Sequence, residues 1–153
     1  MVEITKVLFP SDMRENSFKT LPYVPSFSEK FNSMLYLLHV VEDLHKLGGM
    51  YIPHIPIKLY QKEAEAAAEK VMDQYCKKLA SRGQILTDFQ RKMVSGDPAT
   101  EILKAVDSEG IDLLIMGTHG YKGLEHTVLG SVAENVVKRS PVPVLVINPY
   151  KVK

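Results

Sequence analysis

The 153-residue sequence has one cysteine, no marked excess of either charge and no long apolar run. A single cysteine excludes internal disulfides and is typical of a reducing compartment. The 19 basic and 18 acidic residues are interspersed, so the basic surface that drives nucleic-acid binding is missing. The longest apolar stretch, Met34–Val41, is too short to cross a bilayer, and the first residues lack a signal-peptide layout. We therefore expect one cytoplasmic domain over residues 1–153 that binds neither nucleic acid nor membrane.

Recognisable metal and hydrolytic motifs are also missing. His45 and His54 have neither zinc-ligand spacing nor a cysteine partner, and no G-x-x-x-x-G-K-[ST] phosphate loop occurs. We expect His39 to pack in the core, His126 to face solvent, and Cys76 to be a buried apolar residue rather than a nucleophile. The sequence therefore predicts no catalytic residue and no metal site formed by the protein.

Strand and helix signals alternate along the chain. Apolar runs predict four strands, at Lys6–Pro10, Met34–Val41, Ile111–Met116 and Val142–Ile147, and a weakly patterned stretch predicts another at Ile85–Val94. The predicted helices are a segment interrupted by Pro22 and Pro25, Leu59–Arg82, a helix capped by Asp97 and ended by Gly110, and Ser131 to about Arg139. On the Leu59–Arg82 helix one apolar stripe is expected, formed by Ala64, Ala68, Val71, Tyr75 and Leu79, and Glu42–Lys58 is expected to be a long loop. This alternation predicts a doubly wound, Rossmann-like parallel α/β sheet with helices on both faces.

The segment Gly117–Ser131, GTHGYKGLEHTVLGS, has four glycines in fifteen residues. Glycine costs stability, so each one suggests a tight turn or a close approach. In doubly wound folds, ligands bind at the carboxyl ends of strands, and the N–H groups that begin a helix suit a phosphate. Gly117 and Gly120 would allow the backbone to approach phosphate oxygens, and Ser131 and Val132 would donate to them. Such glycines also occur without any ligand, and Ser131 could simply cap the helix, so the spacing leaves both interpretations open.

The spacing Gly117-x2-Gly120-x9-Gly130-Ser131 resembles the nucleotide-binding signature of the universal stress protein family, in its ATP-binding branch. The resemblance covers nearly the whole chain through KVLFPSD, LLHVVED, GDPATEIL, DLLIMGTHG and LGSVAENVVKRSPVPVLVI, in that order. It implies strand order 3-2-1-4-5 and a homodimer that pairs through Val142–Ile147, an edge that needs cover. It also implies ATP as the ligand, with Mg²⁺ or Mn²⁺ held mainly by the phosphates.

The same resemblance implies the site residues. It assigns Pro10, Ser11 and Asp12 to the adenosine, the Val40 backbone to adenine, Met116, Gly117, His119 and Gly120 to ribose and phosphates, and Gly130, Ser131 and Val132 to the phosphate tail. The implied function is a nucleotide-dependent switch or sensor in stress response. Since nothing resembles a site for phosphate hydrolysis, any ATPase activity should be slow or partner-dependent.

Two stretches depart from the family pattern. Met13-Arg14-Glu15 stands where the family commonly has an aromatic residue or glycine followed by serine, and Pro22 and Pro25 interrupt a helix that is usually continuous. Arg14 could reach the phosphates or extend into solvent. A dimerisation or interaction module that no longer binds nucleotide is therefore the alternative function. An ATP-dependent substrate-activating enzyme is less favoured, because PSDMRENS has no glycine after the first strand.

Overall fold

A parallel sheet of five strands lies at the centre of the fold in the computed structural model, which describes residues 1–43, 56–81, 89–119 and 129–152. The strands are β1 (Lys6–Pro10), β2 (Met34–Glu42), β3 (Phe89–Gly96), β4 (Leu113–Gly117) and β5 (Val144–Ile147). Their order is β3-β2-β1-β4-β5, and each described pairing is parallel. The predicted doubly wound sheet and its strand order are confirmed.

The helices are α1 (Glu15–Thr20), α2 (Tyr23–Phe31), α3 (Ile57–Ser81), α4 (Pro98–Glu109) and α5 (Ser131–Arg139). Two apolar layers, one on each face of the sheet, explain the continuous apolar strands. Val7, Phe9, Leu35, Leu37 and Ile115 pack with Met72 and Tyr75 of α3, whereas Leu8, Leu38, Leu114 and Met116 pack with residues of α4 and α5. Because successive side chains point to opposite faces, a strand covered on both sides must be apolar throughout.

The prolines divide the first helical segment in two, as expected. The first helix, α1, ends at Thr20, and Pro22 is the N-cap of α2. Pro25 is buried in the first turn of α2, where a missing N–H removes no intrahelical hydrogen bond. The break therefore leaves α1 as a separate short helix beside the end of β1.

Several predicted boundaries were wrong by a few residues. The long helix begins at Ile57 rather than Leu59, and Glu42 belongs to β2, so the predicted loop is shorter at both ends. Strand β3 continues to Gly96, β4 covers Leu113–Gly117, and β5 begins at Val144. Arg82 and Gly83, predicted to end the long helix, lie outside the described residues, as do residues 85–88 of the predicted third strand.

The buried stripe of α3 also differs from the prediction. Val71 is 39% exposed, whereas its neighbour Met72 is 1% exposed and packs in the core with Tyr75 and Leu79. Cys76 is half-buried against this layer rather than fully buried, and burial raises the pKa of its thiol. A raised pKa keeps the thiol protonated, which agrees with an apolar role and not with a nucleophile.

Local sequence signals fix α4 at both ends. The Asp97 side chain accepts a hydrogen bond from the Thr100 N–H at 3.0 Å, and Pro98 occupies the first turn. Gly110 ends the helix in the left-handed conformation, with φ of 64°. The predicted caps are confirmed, and Pro98 and Ile102 of α4 line the candidate site.

Candidate functional site

A crevice of about 400 Å³ opens at the carboxyl ends of the strands. Strands β1 and β4 are parallel neighbours. From β1 the chain continues to β2 and β3 on one side of the sheet, and from β4 it continues to β5 on the other side, so the strand order reverses at this point. Ten of the eleven residues predicted for the site line this crevice: Pro10, Ser11, Asp12, Val40, Met116, Gly117, His119, Gly130, Ser131 and Val132. Gly120, the eleventh, lies outside the described residues, as do His45, His54 and His126.

The turn after β1 presents Asp12 to the crevice. The Ser11 N–H donates to the Leu38 carbonyl at 2.8 Å, and the Ser11 hydroxyl accepts from the Met13 N–H at 3.0 Å. The Asp12 Oδ1 atom accepts from the Arg14 N–H at 2.9 Å, which leaves Oδ2 without a hydrogen bond from the described residues. Met13 has φ of 59°, a left-handed conformation that is unusual for this residue type, so these side-chain bonds stabilise a tight turn. The result is a fixed carboxylate that can accept from a hydroxyl or an amino group.

Thr118 connects three parts of the site. Its N–H donates to the Ile147 carbonyl at 2.9 Å, and its carbonyl accepts from the Gly130 N–H at 2.8 Å. Its hydroxyl lies 2.8 Å from Nδ1 of His119. The residue is 6% exposed, so these bonds form away from bulk water. Thr118 therefore ties the end of β4 to β5 and to the start of α5.

Gly130 lies in close contact with the backbone of Thr118. Its N–H is already used by Thr118, and a Cβ atom at this position would lie 3.1 Å from the Thr118 carbonyl oxygen. Gly117 differs, since a Cβ there would meet nothing closer than the Thr20 methyl at 3.6 Å. The close contact with the Thr118 carbonyl explains why residue 130 is glycine. No contact within the described residues requires a glycine at position 117.

The start of α5 offers hydrogen-bond donors to the crevice. Gly130 is the N-cap with extended backbone and supplies no side-chain cap, and its carbonyl accepts from the Glu134 N–H at 2.9 Å. Among the described residues, nothing accepts a hydrogen bond from the N–H groups of Ser131 and Val132, and the Ser131 side chain is exposed. Unpaired N–H groups and the positive end of the helix dipole form a ready-made site for an anion. These donors could bind an anion in the crevice.

His119 is held from behind by the C-terminal turn. The imidazole is 4% exposed, and its ring centre lies 5.6 Å from that of Tyr150. The Tyr150 hydroxyl accepts from the Asn16 side-chain amide at 3.0 Å, which links it to α1. Tyr150 and Asn16 were not predicted to matter, because nothing in a linear sequence indicates that the residues after β5 fold back onto α1.

The end of the crevice beside β2 is formed by side chains. His39 is half-buried there, so the prediction of a core residue was wrong in part: its Nδ1 donates to the Ser11 carbonyl at 2.8 Å, and the ring lines the crevice. A carbonyl only accepts, so Nδ1 carries the hydrogen. Ala64 and Ala68 of α3 line the same end, and their small size leaves it open. Two of the stripe alanines thus border a cavity instead of packing against the sheet.

Nothing found in the described residues suggests a metal site or a membrane span. No group of three or more His, Cys, Asp or Glu residues among them could hold a metal ion. No helix in residues 1–43, 56–81, 89–119 and 129–152 is both long and apolar enough to cross a membrane. The chemistry that the crevice supports is binding through backbone N–H groups, the carboxylates of Asp12 and Glu42, and small apolar walls.

The fold and the crevice define a Rossmann-like α/β domain with an anion-compatible pocket at its topological switch point. A sequence model of the universal stress protein family matches residues 3–148, and the chain belongs to that family. It is 34% identical over 155 residues to universal stress protein MJ0577 of Methanocaldococcus jannaschii, covering 93% of each chain. It is 31% identical over 149 residues to universal stress protein MJ0531 of the same organism, covering 95% of this chain and 83% of that protein.

Solved structures give the same fold. The hypothetical protein MJ0577 superposes with a TM-score of 0.76 at 28% identity, covering 96% of this chain and 97% of the other. Universal stress protein UspA from Lactobacillus plantarum has a TM-score of 0.78 at 21% identity, covering 97% and 100%.

Proposed function

We propose that this protein binds ATP or another adenine nucleotide in the crevice and acts as a nucleotide-dependent switch or sensor in a stress response, in the cytoplasm. The observation that carries the proposal is the start of α5, where the N–H groups of Ser131 and Val132 have no acceptor among the described residues and both residues line the crevice. Thr118 holds that helix start in place through Gly130, so the donors are organised before a ligand arrives.

The remaining lining residues agree with a nucleoside beside this anion site. Asp12 has a carboxylate oxygen available for a ribose hydroxyl or a base amino group, and the Val40 backbone borders the opposite end near β2. A pocket with small apolar walls and a few placed polar groups is the usual form of a small-molecule site. Met116, Gly117, His119 and Gly120 would then lie along the ribose and phosphates.

Two solved structures with this fold support the ligand class. One is a universal stress protein in complex with cAMP, at 21% identity and a TM-score of 0.62. The other is the universal stress protein from Archaeoglobus fulgidus in complex with dAMP, at 15% identity and a TM-score of 0.55. At these identities the likeness to this chain is one of fold, and the nucleotides belong to those proteins. For this chain an adenine nucleotide is our proposal.

We propose binding without rapid hydrolysis. Phosphoryl transfer to water needs a positioned base and strong neutralisation of charge on the phosphates. The described lining residues include Asp12 and Glu42, which are acidic, and no cluster suited to a metal. A Mg²⁺ or Mn²⁺ ion would be held mainly by the phosphates of the nucleotide. Turnover should therefore be slow or depend on a partner.

A homodimer through β5 is part of the proposal. Strand β5 is at one edge of the sheet, and in the described part of the chain no strand pairs with its outer side. Val146 on this strand is 38% exposed, and an open strand edge favours pairing with another chain. Sedimentation equilibrium with and without ATP would measure both the dimer and its dependence on nucleotide.

The central experiment replaces Ser131 by proline. Proline is favoured at the first position of a helix, and the extended backbone of Gly130 suits a residue that precedes proline. Ser131→Pro therefore removes the N–H donor and the hydroxyl while α5 is retained, whereas Ser131→Ala removes the hydroxyl alone. We expect calorimetric titration to show wild-type binding of ATP, a loss of about tenfold or more in Ser131→Pro, and a smaller loss in Ser131→Ala. Absence of wild-type binding at millimolar ATP would refute the proposal.

The alternative function is a dimerisation module that no longer binds nucleotide. Its support is that Gly130 is explained by contact with Thr118, so this glycine does not require a ligand. Mass spectrometry of gently denatured purified protein separates the two functions. Co-purified adenine nucleotide would exclude the module, and its absence together with failed titration would favour it.

A further inference from the structure

Arg14 has a fixed backbone at the mouth of the crevice. It is the N-cap of α1 with extended backbone, and its N–H is held by Asp12 at 2.9 Å. Its carbonyl accepts from the Ser17 N–H at 3.0 Å and from the Ser17 hydroxyl at 2.8 Å. The side chain is exposed, yet it is one of the residues that line the crevice. Three hydrogen bonds thus fix the Arg14 backbone at the mouth of the crevice.

The wall that contains Arg14 faces the end of β4. Arg14, Ser17 and Thr20 recur at intervals of three, so they share one face of α1, and all three line the crevice. Thr20 places its methyl group 3.6 Å from the position of a Cβ at Gly117, so this face lies against the Gly117 end of the crevice. The Asn16 amide donates to Tyr150 and fixes α1 on the same side. Arg14 therefore stands on the side of the site where the phosphates are expected.

Arg14 is important in this position because of its positive charge. Of the described residues that line the crevice, Asp12 and Glu42 are acidic, and Arg14 is the only one with a permanent positive charge. The start of α5 contributes about half a positive charge, which suits one phosphate group. A diphosphate or triphosphate brings further negative charges, and a planar guanidinium can donate two parallel hydrogen bonds to phosphate oxygens.

We infer that Arg14 is a specificity-determining residue that makes the crevice favour nucleotides with two or three phosphates over the monophosphate. The inference rests on the proposed nucleotide site and adds to it a discrimination by phosphate number. It also gives a physical role to the stretch Met13-Arg14-Glu15, in which the sequence departs from the family pattern.

The test measures the affinities of ATP, ADP and AMP by titration calorimetry for the wild type and three variants. Arg14→Ala removes the guanidinium, Arg14→Lys keeps the charge without the planar fork, and Lys19→Ala removes one charge from the same helix outside the crevice. We expect Arg14→Ala to weaken ATP binding about tenfold and AMP binding less than twofold. Arg14→Lys should recover part of the ATP affinity, and Lys19→Ala should bind like the wild type.

The possible outcomes separate the two claims. Equal loss for ATP and AMP in Arg14→Ala, or no loss for ATP, would overturn the role of Arg14 while the nucleotide site stands. A similar ATP-selective loss in Lys19→Ala would also overturn it, because the effect would then come from general charge. A wild type that binds none of the three nucleotides overturns both the site and the inference.

Discussion

The two ends of the crevice are built in different ways. Beside β4 and α5 the wall is mainly backbone, held by the three hydrogen bonds of Thr118. Beside β2 and α3 the wall is made of side chains, among them His39 and the small residues Ala64 and Ala68. The first end has little conformational freedom, because Thr118, which follows β4, is hydrogen-bonded both to β5 and to the N-cap of α5. At the second end, the space left for a ligand depends on the size of the side chains that line it.

This difference determines which substitutions can change ligand binding at each end of the crevice. At the backbone end, donors are N–H groups that no side-chain change removes, except proline or a distortion of the helix start. At the side-chain end, a single larger residue can fill the space without disturbing a hydrogen bond. We therefore expect binding to be blocked by bulk at one end and by backbone changes at the other.

The largest effect is expected from Ala68→Trp. Ala68 is half-buried on α3 and borders the crevice, so an indole there would occupy part of the 400 Å³ in which we propose that the base binds. We expect nucleotide affinity to fall about a hundredfold, with a change of less than about 1 kcal/mol in the free energy of unfolding. Ala67→Trp is the matched control, since Ala67 is exposed on the same helix and does not line the crevice. Equal affinities in the two variants would mean that the base does not occupy this end.

A smaller effect is expected from alanine at Gly130 and at Gly117. The two variants distinguish a glycine required for folding from a glycine required for ligand binding. Gly130→Ala would place a Cβ 3.1 Å from the Thr118 carbonyl, so we expect a loss of about 1 kcal/mol in stability and about tenfold in affinity. Gly117→Ala meets ordinary contacts of 3.6 Å or more, so stability should be kept while affinity falls. Urea unfolding and calorimetry measure the two quantities. Wild-type affinity in Gly117→Ala would show that no ligand approaches this glycine.

Local signals in the sequence were sufficient for much of the fold. Asp97, Pro98 and Gly110 mark the ends of α4 because their effects act on hydrogen bonds within one turn. The four apolar runs predict a sheet covered on both faces, since a buried strand needs apolar residues at every position. The strand order came from the family resemblance, because pairing between distant strands leaves no local mark.

The parts of the site that could not be predicted depend on distant contacts. Thr118 gains its role from Gly130 and Ile147, and Tyr150 gains its position from Asn16. The stripe on α3 was placed one residue away at Val71, because the helix turns Met72 towards the sheet. The glycine spacing predicts an anion site at the start of α5, and this stays a prediction. The partner of the Gly130 N–H, the Thr118 carbonyl, could not be known before the chain was folded.

The smallest effect is expected at the amino ends of β1 and β4, which lie away from the crevice and serve as a reference for both of its ends. The Asp112 carboxylate accepts from the Thr5 hydroxyl at 2.7 Å, the Thr5 N–H at 2.8 Å and the Lys6 N–H at 3.0 Å. These bonds, first of all that from the Thr5 side chain, hold the pKa of the Asp112 carboxyl below its usual value. A pKa lowered in the folded state stabilises the protein above the unfolded pKa of about 3.9, and that stability is lost as pH falls through the folded pKa.

We therefore expect Asp112→Asn to be slightly less stable than the wild type at pH 7 and the difference to shrink as the pH falls below about 4. Urea unfolding at a series of pH values measures this difference, and nucleotide affinity at pH 7 should be unchanged because Asp112 lies at the amino ends of β1 and β4. A stability difference that is independent of pH would mean that the shape of the side chain, and not its charge, matters here. A loss of nucleotide affinity in Asp112→Asn would mean that the amino and carboxyl ends of the strands are coupled, and the crevice could then no longer be treated as two locally built ends.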